Sequence, residues 1–292
     1  MLPKTLIILF LAISLFIFSD SINAQLGSPQ NAGARGAAMG NASVTFTDVN
    51  SIFSNQAGLA FLEKLSFTVY SESRFLTTGI HSFLFAGAYP HEKMGTFGLA
   101  IHYFGLEAYR EQKIGIAYAR KLFKNLSLGV QVDYLGIQIP EYGSANTLTF
   151  ELGILAKVND ELSLGVHAYS PVRVPVNLDS NADFDKISPV FKMGAAYSPS
   201  KQVTLTGEME KNLDYPFRGK MGIEYCPISV LVIRGGVGTR PFLMSFGLGI
   251  RLKSLDIAIA SSYHQVLGFT PNLSLSYAVG KVAKTEHQPT GH

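Results

Sequence analysis

Residues 145–158 read ANTLTFELGILAKV. Leu148, Phe150, Leu152, Ile154 and Ala156 fall on one phase of a two-residue period, and Thr147, Thr149, Glu151 and Gly153 on the other. Successive side chains of a strand point to opposite faces, so this pattern reads as a strand with one apolar and one polar face. The same alternation recurs in NLSLGVQVDY (125–134), QVTLTGEME (202–210) and FLMSFGLGIR (242–251). Marking every such run predicts about fourteen strands, near 65–73, 78–90, 94–104, 112–121, 125–139, 145–158, 162–171, 187–198, 202–211, 216–226, 229–237, 242–253, 255–264 and 271–281. Most are longer than the five or six residues usual in soluble proteins. They match instead the roughly nine to eleven tilted residues that cross a bilayer as a strand.

The spacing between the runs carries a second regularity. Tight connections such as HEK (91–93), LFK (122–124) and PSK (199–201) alternate with longer ones such as GLEAYRE (105–111), PEYGS (140–144), the 172–186 stretch and QVLGFT (265–270). Short turns at one end and longer loops at the other describe an outer-membrane barrel, with the short set periplasmic. An even strand number then places both chain termini on the periplasmic side.

Charge placement supports closure around a polar lumen. A Lys or Arg facing lipid near the midplane costs about 2 to 4 kcal/mol. Asp133, Glu151, Arg218, Lys220, Glu224 and Arg251 all sit on the phase opposite the bulky apolar residues, and Lys192 does the same between Phe191 and Met193. Arg234 follows VLVI, which is apolar on both phases, and is grouped with the lumen charges. The mixed signs point to salt-bridged filling of the lumen or to a plug. A soluble β-sandwich would explain the alternation alone. It does not explain the strand lengths, the loop pattern and the N-terminus together.

That N-terminus, MLPKTLIILFLAISLFIFSDSINAQ, has one lysine, an apolar run and small polar residues ending at Ala24, the form of a secretory signal over residues 1–24. Its removal leaves about 268 of 292 residues. The chain is 47% hydrophobic and only 15% charged, with 28 glycines, 20 phenylalanines and 13 tyrosines. Soluble domains carry roughly 25% charge, so apolar surface is in excess. The formal charge of +3 and the absence of basic stretches interleaved with aromatics give no case for nucleic acid. Cys226 is the single cysteine, which removes disulfide and Cys-based metal chemistry. The histidines are scattered, and no catalytic triad, HExxH, Walker or dinucleotide fingerprint occurs; GGVGTR (235–240) lacks the following Lys-Ser/Thr and reads as a strand end. The expectation is a non-enzyme without cofactor or metal.

Before the strands stands GARGAAMGNASVTFTDVNSIFSNQAGLAFLE (33–63), with neither a helical nor a strand period. It resembles the N-terminal segment of FadL-like outer-membrane barrels, and more closely of the PorV/PorQ branch associated with type IX secretion in Bacteroidota. The matching residues are Gly33, Ala34, Arg35, Met39, Gly40, Ala42, Val44 and Asp48, then Asn55, Gln56, Ala57, Gly58, Leu59 and Ala60, with Gln56 where that family usually has proline. MGAAYSPSKQVTLTGEME (193–210) and MGIEYCPISVLVIRGGVG (221–238) are similar to two of its hairpins. The resemblance implies an all-β transmembrane antiparallel barrel of about fourteen strands. Loop parity puts the segment on the periplasmic side and its many Gly, Ala and Ser suit packing against a barrel wall, so the chain reads as a plug over 25–64, with a short helical turn near Val49 to Ser54, a barrel over 65–281 and a polar tail over 282–292.

The resemblance implies a Gram-negative outer-membrane location and an accessory role in a protein secretion or assembly machine, with other outer-membrane or periplasmic subunits as partners beside membrane lipid. The alternative is a FadL-like transporter of a hydrophobic small molecule, with Tyr70, Tyr118 and Tyr169 lining the lumen.

Overall fold

The computed structural model describes residues 30–77, 79–141, 143–177 and 183–280. The expected signal (1–24), the first residues of the lead-in (25–29) and the polar tail (282–292) lie outside the described residues. Inside them the strands are β1 Leu65–Ser73, β2 His81–His91, β3 Gly95–Leu106, β4 Tyr109–Phe123, β5 Leu126–Ile139, β6 Gly143–Lys157, β7 Leu162–Tyr169, β8 Val174–Asn177, β9 Asp183–Ile187, β10 Val190–Ser200, β11 Val203–Asn212, β12 Arg218–Ile228, β13 Leu231–Gly238, β14 Leu243–Arg251, β15 Leu255–His264 and β16 Gly268–Val279. Fourteen of them, β1–β7 and β10–β16, pair antiparallel with their neighbours in sequence and close through β1 and β16, from Leu65↔Val279 to Glu72↔Asn272. Closure leaves no open edge, so the backbone donors and acceptors of the wall pair within the protein, as hydrocarbon demands.

The two-residue period decides which face each side chain takes. In β6 the outward Leu148, Phe150, Leu152 and Ile154 are exposed while Thr149, Glu151, Gly153 and Leu155 are buried towards the lumen. Exposed aromatics gather near both ends of the wall. Phe67, Tyr89, Phe97, Tyr197, Tyr225 and Tyr277 lie towards the short-turn end, and Phe83, Tyr103, Tyr134, Phe217, Tyr263 and Phe269 towards the other. An aliphatic band between two aromatic girdles is the outer surface of a membrane barrel. Tyr118, expected to line the lumen, belongs to this surface. It shares the phase of Ile114 and Ile116, stacks tilted on Phe97 at 5.3 Å and donates to the Met94 carbonyl at 2.6 Å.

Four loop expectations need correction: residues 143–144 of PEYGS belong to β6 and 268–270 of QVLGFT to β16, and two other stretches differ as well. GLEAYRE is no long loop: β3 and β4 continue to Leu106↔Tyr109, leaving residues 107–108 as the turn. Arg110, Glu111 and Gln112 are polar on both phases, so no alternation marks the strand where it leaves the apolar layer. Within the 172–186 stretch, β8 and β9 pair as a separate two-stranded sheet. Among the described residues at that end, Arg74–Leu76 form a 3-10 turn after β1, and β8 and β9 lie between β7 and β10.

Candidate functional site: the filled lumen

Residues 30–62 lie inside the barrel. This inner segment starts with α1 (Gly33–Ala38), passes through 3-10 turns at Val49–Phe53 and Gln56–Phe61, and contacts strands from β1 to β16 around the wall. Six residues of Gly, Ala and Arg show no apolar period, and tertiary contact stabilises a helix too short to stand alone. Asp48 caps the first 3-10 turn by accepting from Asn50 N at 2.8 Å, and Asn55 caps the second by accepting from Ala57 N at 3.2 Å. Gly40 and Asn41, with φ of +63° and +62°, turn the chain away after α1.

The wall receives this backbone where lumen-facing residues are glycine. A Cβ on Gly129 of β5 would stand 2.3 Å from Ala57 N, and one on Gly236 of β13 would stand 2.1 Å from Gly40 N. Gly153, Gly165 and Gly222 meet Asn55 Oδ1, the Val44 carbonyl and the Met39 carbonyl at 2.0, 2.5 and 2.6 Å in the same sense. Inside the segment, Gly58 lies under the Phe46 carbonyl, 2.0 Å from where its Cβ would be. Ala34, Met39, Ile52, Ala57 and Leu59 are all fully buried.

Polar contacts complete the attachment, and they follow one pattern. Four wall glutamates each accept from a cation of the wall or of the turn after β1, and from the inner segment. Glu151 takes Lys113 Nζ at 2.5 Å and Gln56 Nε2 at 2.7 Å. Glu208 takes Lys220 Nζ at 2.8 Å and the backbone amides of Ser43 and Val44 at 2.8 and 2.9 Å. Glu224 takes Arg234 Nε at 2.8 Å and Arg35 Nε at 2.9 Å. Glu72 takes Arg74 Nε at 2.7 Å and Asn31 Nδ2 at 2.8 Å. Hydrogen bonds to ionised partners are roughly twice as strong as neutral ones.

Each predicted residue therefore has a place. Asp133 and Glu151 share one cluster, in which Lys113 Nζ lies 3.4 Å from Asp133 Oδ2, His167 Nε2 lies 2.9 Å from Glu151, and Lys113 rests 4.7 Å over the Tyr169 ring. Lys113 takes the position between two carboxylates that a cation would occupy. Arg218 and Lys220 meet on Glu210, at 3.2 and 2.7 Å. Arg234, ambiguous in sequence, is 3% exposed and faces the lumen. Arg251 stands at the rim of the short-turn end, 3.5 Å from both Glu224 and Asp256. In the segment, Arg35 spans Asp48 (2.6 Å) and Glu224; burial opposes its charge, but Glu224 and Asp48 outweigh that and hold its pKa above the ordinary value. Lys113, His167, Glu72, Glu208 and Glu210 were not singled out as site residues, although each lies on the polar phase of its strand.

Gln56 repays its departure from the resembled motif. It occupies the first position after the Asn55 cap, where proline is well tolerated because the N–H there has no helical partner. As glutamine it reaches Glu151 and the Ile52 carbonyl, contacts a proline could not make. Asn55 ties the segment to itself and to the wall, donating to the carbonyls of Val44 (2.8 Å) and Ile154 (3.1 Å). Asn55→Ala is expected to lower stability by about 1 to 3 kcal/mol, since buried carbonyls lose their donor; denaturant unfolding in micelles measures it.

On either side of the segment a cavity remains. One, about 350 Å³, opens at the short-turn end among Arg35, Thr45, Thr47, Lys157 and Ser163. The other, about 270 Å³, lies towards the long-loop end among Glu72, Arg74, Lys192, Glu210, Arg218 and Lys220. Towards that same end an apolar cluster joins wall and loop: Leu135, Ile137, Ala145, Tyr169 and Val190 with Val176 and Ile187 of the β8–β9 hairpin. Of the tyrosines expected to line the lumen, Tyr70 and Tyr169 do, both 1% exposed.

No protein-family model and no curated protein sequence matches the chain. Solved structures do. The Pseudomonas putida toluene transporter TodX is similar with a TM-score of 0.67 at 13% identity, covering 87% of this chain and 99% of that one. A TodX mutant described as a monoaromatic hydrocarbon channel gives 0.67 at 12% identity, over 85% and 98% of the two chains. A Pseudomonas aeruginosa FadL homologue gives 0.62 at 13% identity, over 87% and 100%. At such identities the likeness concerns the fold, and the fold is that of a FadL-like outer-membrane barrel: fourteen antiparallel strands closed around an inner N-terminal segment.

Proposed function

We propose that the protein is an outer-membrane channel for small hydrophobic molecules, closed at rest by residues 30–62 acting as a plug. The observation that carries this reading is the end-to-end likeness to TodX and the FadL homologue, the first of which is a toluene transporter. The apolar cluster below the β8–β9 hairpin supports it as a first resting place for an apolar molecule, because Leu135, Ile137 and Val190 point inward against the usual lumen pattern. Beyond them a ligand meets Lys113, Glu151 and the plug, so passage requires the plug to move. In this reading the short turns and both termini face the periplasm. Cells lacking their own hydrocarbon uptake should take up labelled toluene several-fold faster when expressing the protein; equal rates with and without it would sink the proposal.

A second reading, an accessory subunit of a type IX secretion machine, rests on the motif resemblance of residues 33–60 and on the ion-paired lumen. No comparison lends it support. Recovery of secretion components with the protein from mild-detergent extracts would favour it, whereas recovery of the barrel alone would remove it.

A further inference from the structure

The cavity on the long-loop side of the inner segment contains a charge without a partner. Lys192 of β10 is 4% exposed and lines this cavity, yet among the described residues no acceptor lies within hydrogen-bond or ion-pair distance of its ammonium. Its ladder neighbours explain why. In register, His167, Lys192, Glu210 and Arg218 form one row across β7, β10, β11 and β12. Glu210 is already engaged by Lys220 and Arg218, at 2.7 and 3.2 Å. Glu208 is engaged by Lys220 and two backbone amides, and Glu151 by Lys113, His167 and Gln56. Glu72, across the cavity, is held by Arg74, Tyr70 and Asn31.

Arg74, Lys192, Arg218 and Lys220 line the cavity against two carboxylates, Glu72 and Glu210, while Glu208 stands behind them on Lys220. A buried ammonium is costly unless something compensates it. The compensating group has to come from the cavity that Lys192 lines.

We infer that this cavity is a binding site for a compact oxyanion, the carboxylate or phosphate group of a small polar molecule, held by Lys192 Nζ. At about 270 Å³, with charged side chains on several sides, it is smaller than pockets that take drug-sized ligands and has little apolar wall for a long hydrocarbon. The site therefore adds a ligand class to the hydrophobic one proposed above and does not depend on it.

Calorimetric titration of the full chain in micelles, with inorganic phosphate and separately with succinate against matched chloride, tests this. Wild type should bind at least one of the two saturably and gain thermal stability from it; the responding arm distinguishes phosphate from carboxylate. Lys192→Met should weaken that binding at least tenfold, Lys192→Arg should retain it, and Lys157→Gln at the opposite cavity should leave it unchanged. Heat-modifiable gel mobility verifies that each variant is folded, and Lys192→Gln replaces the methionine variant if that one is not. Absence of saturable binding and of stabilisation in wild type would overturn the inference, as would unchanged binding in the folded Lys192→Met or Lys192→Gln protein.

Discussion

Replacing Glu151 by alanine is expected to destabilise the folded barrel by about 3 to 5 kcal/mol, the usual consequence of removing one partner from a buried ion pair. Glu151 accepts from Lys113, His167 and Gln56 at 2.5, 2.9 and 2.7 Å, on side chains less than a tenth exposed. Alanine leaves the Lys113 ammonium with Asp133 alone, 3.4 Å away, and frees the inner segment from β6 at Gln56. The paired substitution Lys113→Met with Glu151→Met removes both charges and should restore much of the loss, because apolar replacements of similar volume are often tolerated where half a pair is not. Urea unfolding in micelles, followed by circular dichroism, gives both values. A loss below about 1 kcal/mol for Glu151→Ala would mean that water already carries these charges.

The second large effect is expected from the wall glycines. In Gly129→Val with Gly236→Val, the new Cβ atoms would fall 2.3 Å from Ala57 N and 2.1 Å from Gly40 N, well inside contact distance. Something has to shift, and the wall is the stiffer party. Gly129 lies within an unbroken ladder between Ala119 of β4 and Gly153 of β6, and Gly236 between Gly222 of β12 and Ser245 of β14. The inner segment has no ladder hydrogen bonds to the wall and is held by separate side-chain contacts. The double variant should therefore keep the barrel and displace residues 33–62. Planar-bilayer conductance should rise about tenfold or more above wild type, and the segment should become open to added protease. Unchanged conductance with a protected segment would show that the wall yields instead, and would remove the basis for treating residues 30–62 as the closure.

Much of the wall was legible without coordinates. β1 and β15 were placed at 65–73 and 255–264 as observed, because in those strands the alternation runs from end to end. The reading 112–121 is too short for β4, since Tyr109 to Glu111 and Leu122 to Phe123 continue the strand where the apolar phase no longer reports on it. Tyr118 shows the limit of reading residue type: its chemistry suits a ligand wall, but its phase alongside Ile114 and Ile116 sends it outward. Phase also brought Glu208 onto the polar face. Nothing local indicated that its carboxylate would receive the amides of Ser43 and Val44, more than 160 residues earlier in the chain.

The sequence by itself determined the wall: which segments are strands, which side chains face lipid, and that charges such as Asp133, Glu151 and Lys220 must face inward. Period two is a local property of the chain, and the cost of a charge in hydrocarbon enforces it strand by strand. Tertiary structure alone decided how the interior is used. Whether Gln56 reaches Glu151, whether the backbone at Gly40 seats against Gly236, and whether Lys192 keeps a partner depend on pairings between residues far apart in sequence. Those pairings exist only once the barrel has closed and set its register around the inner segment.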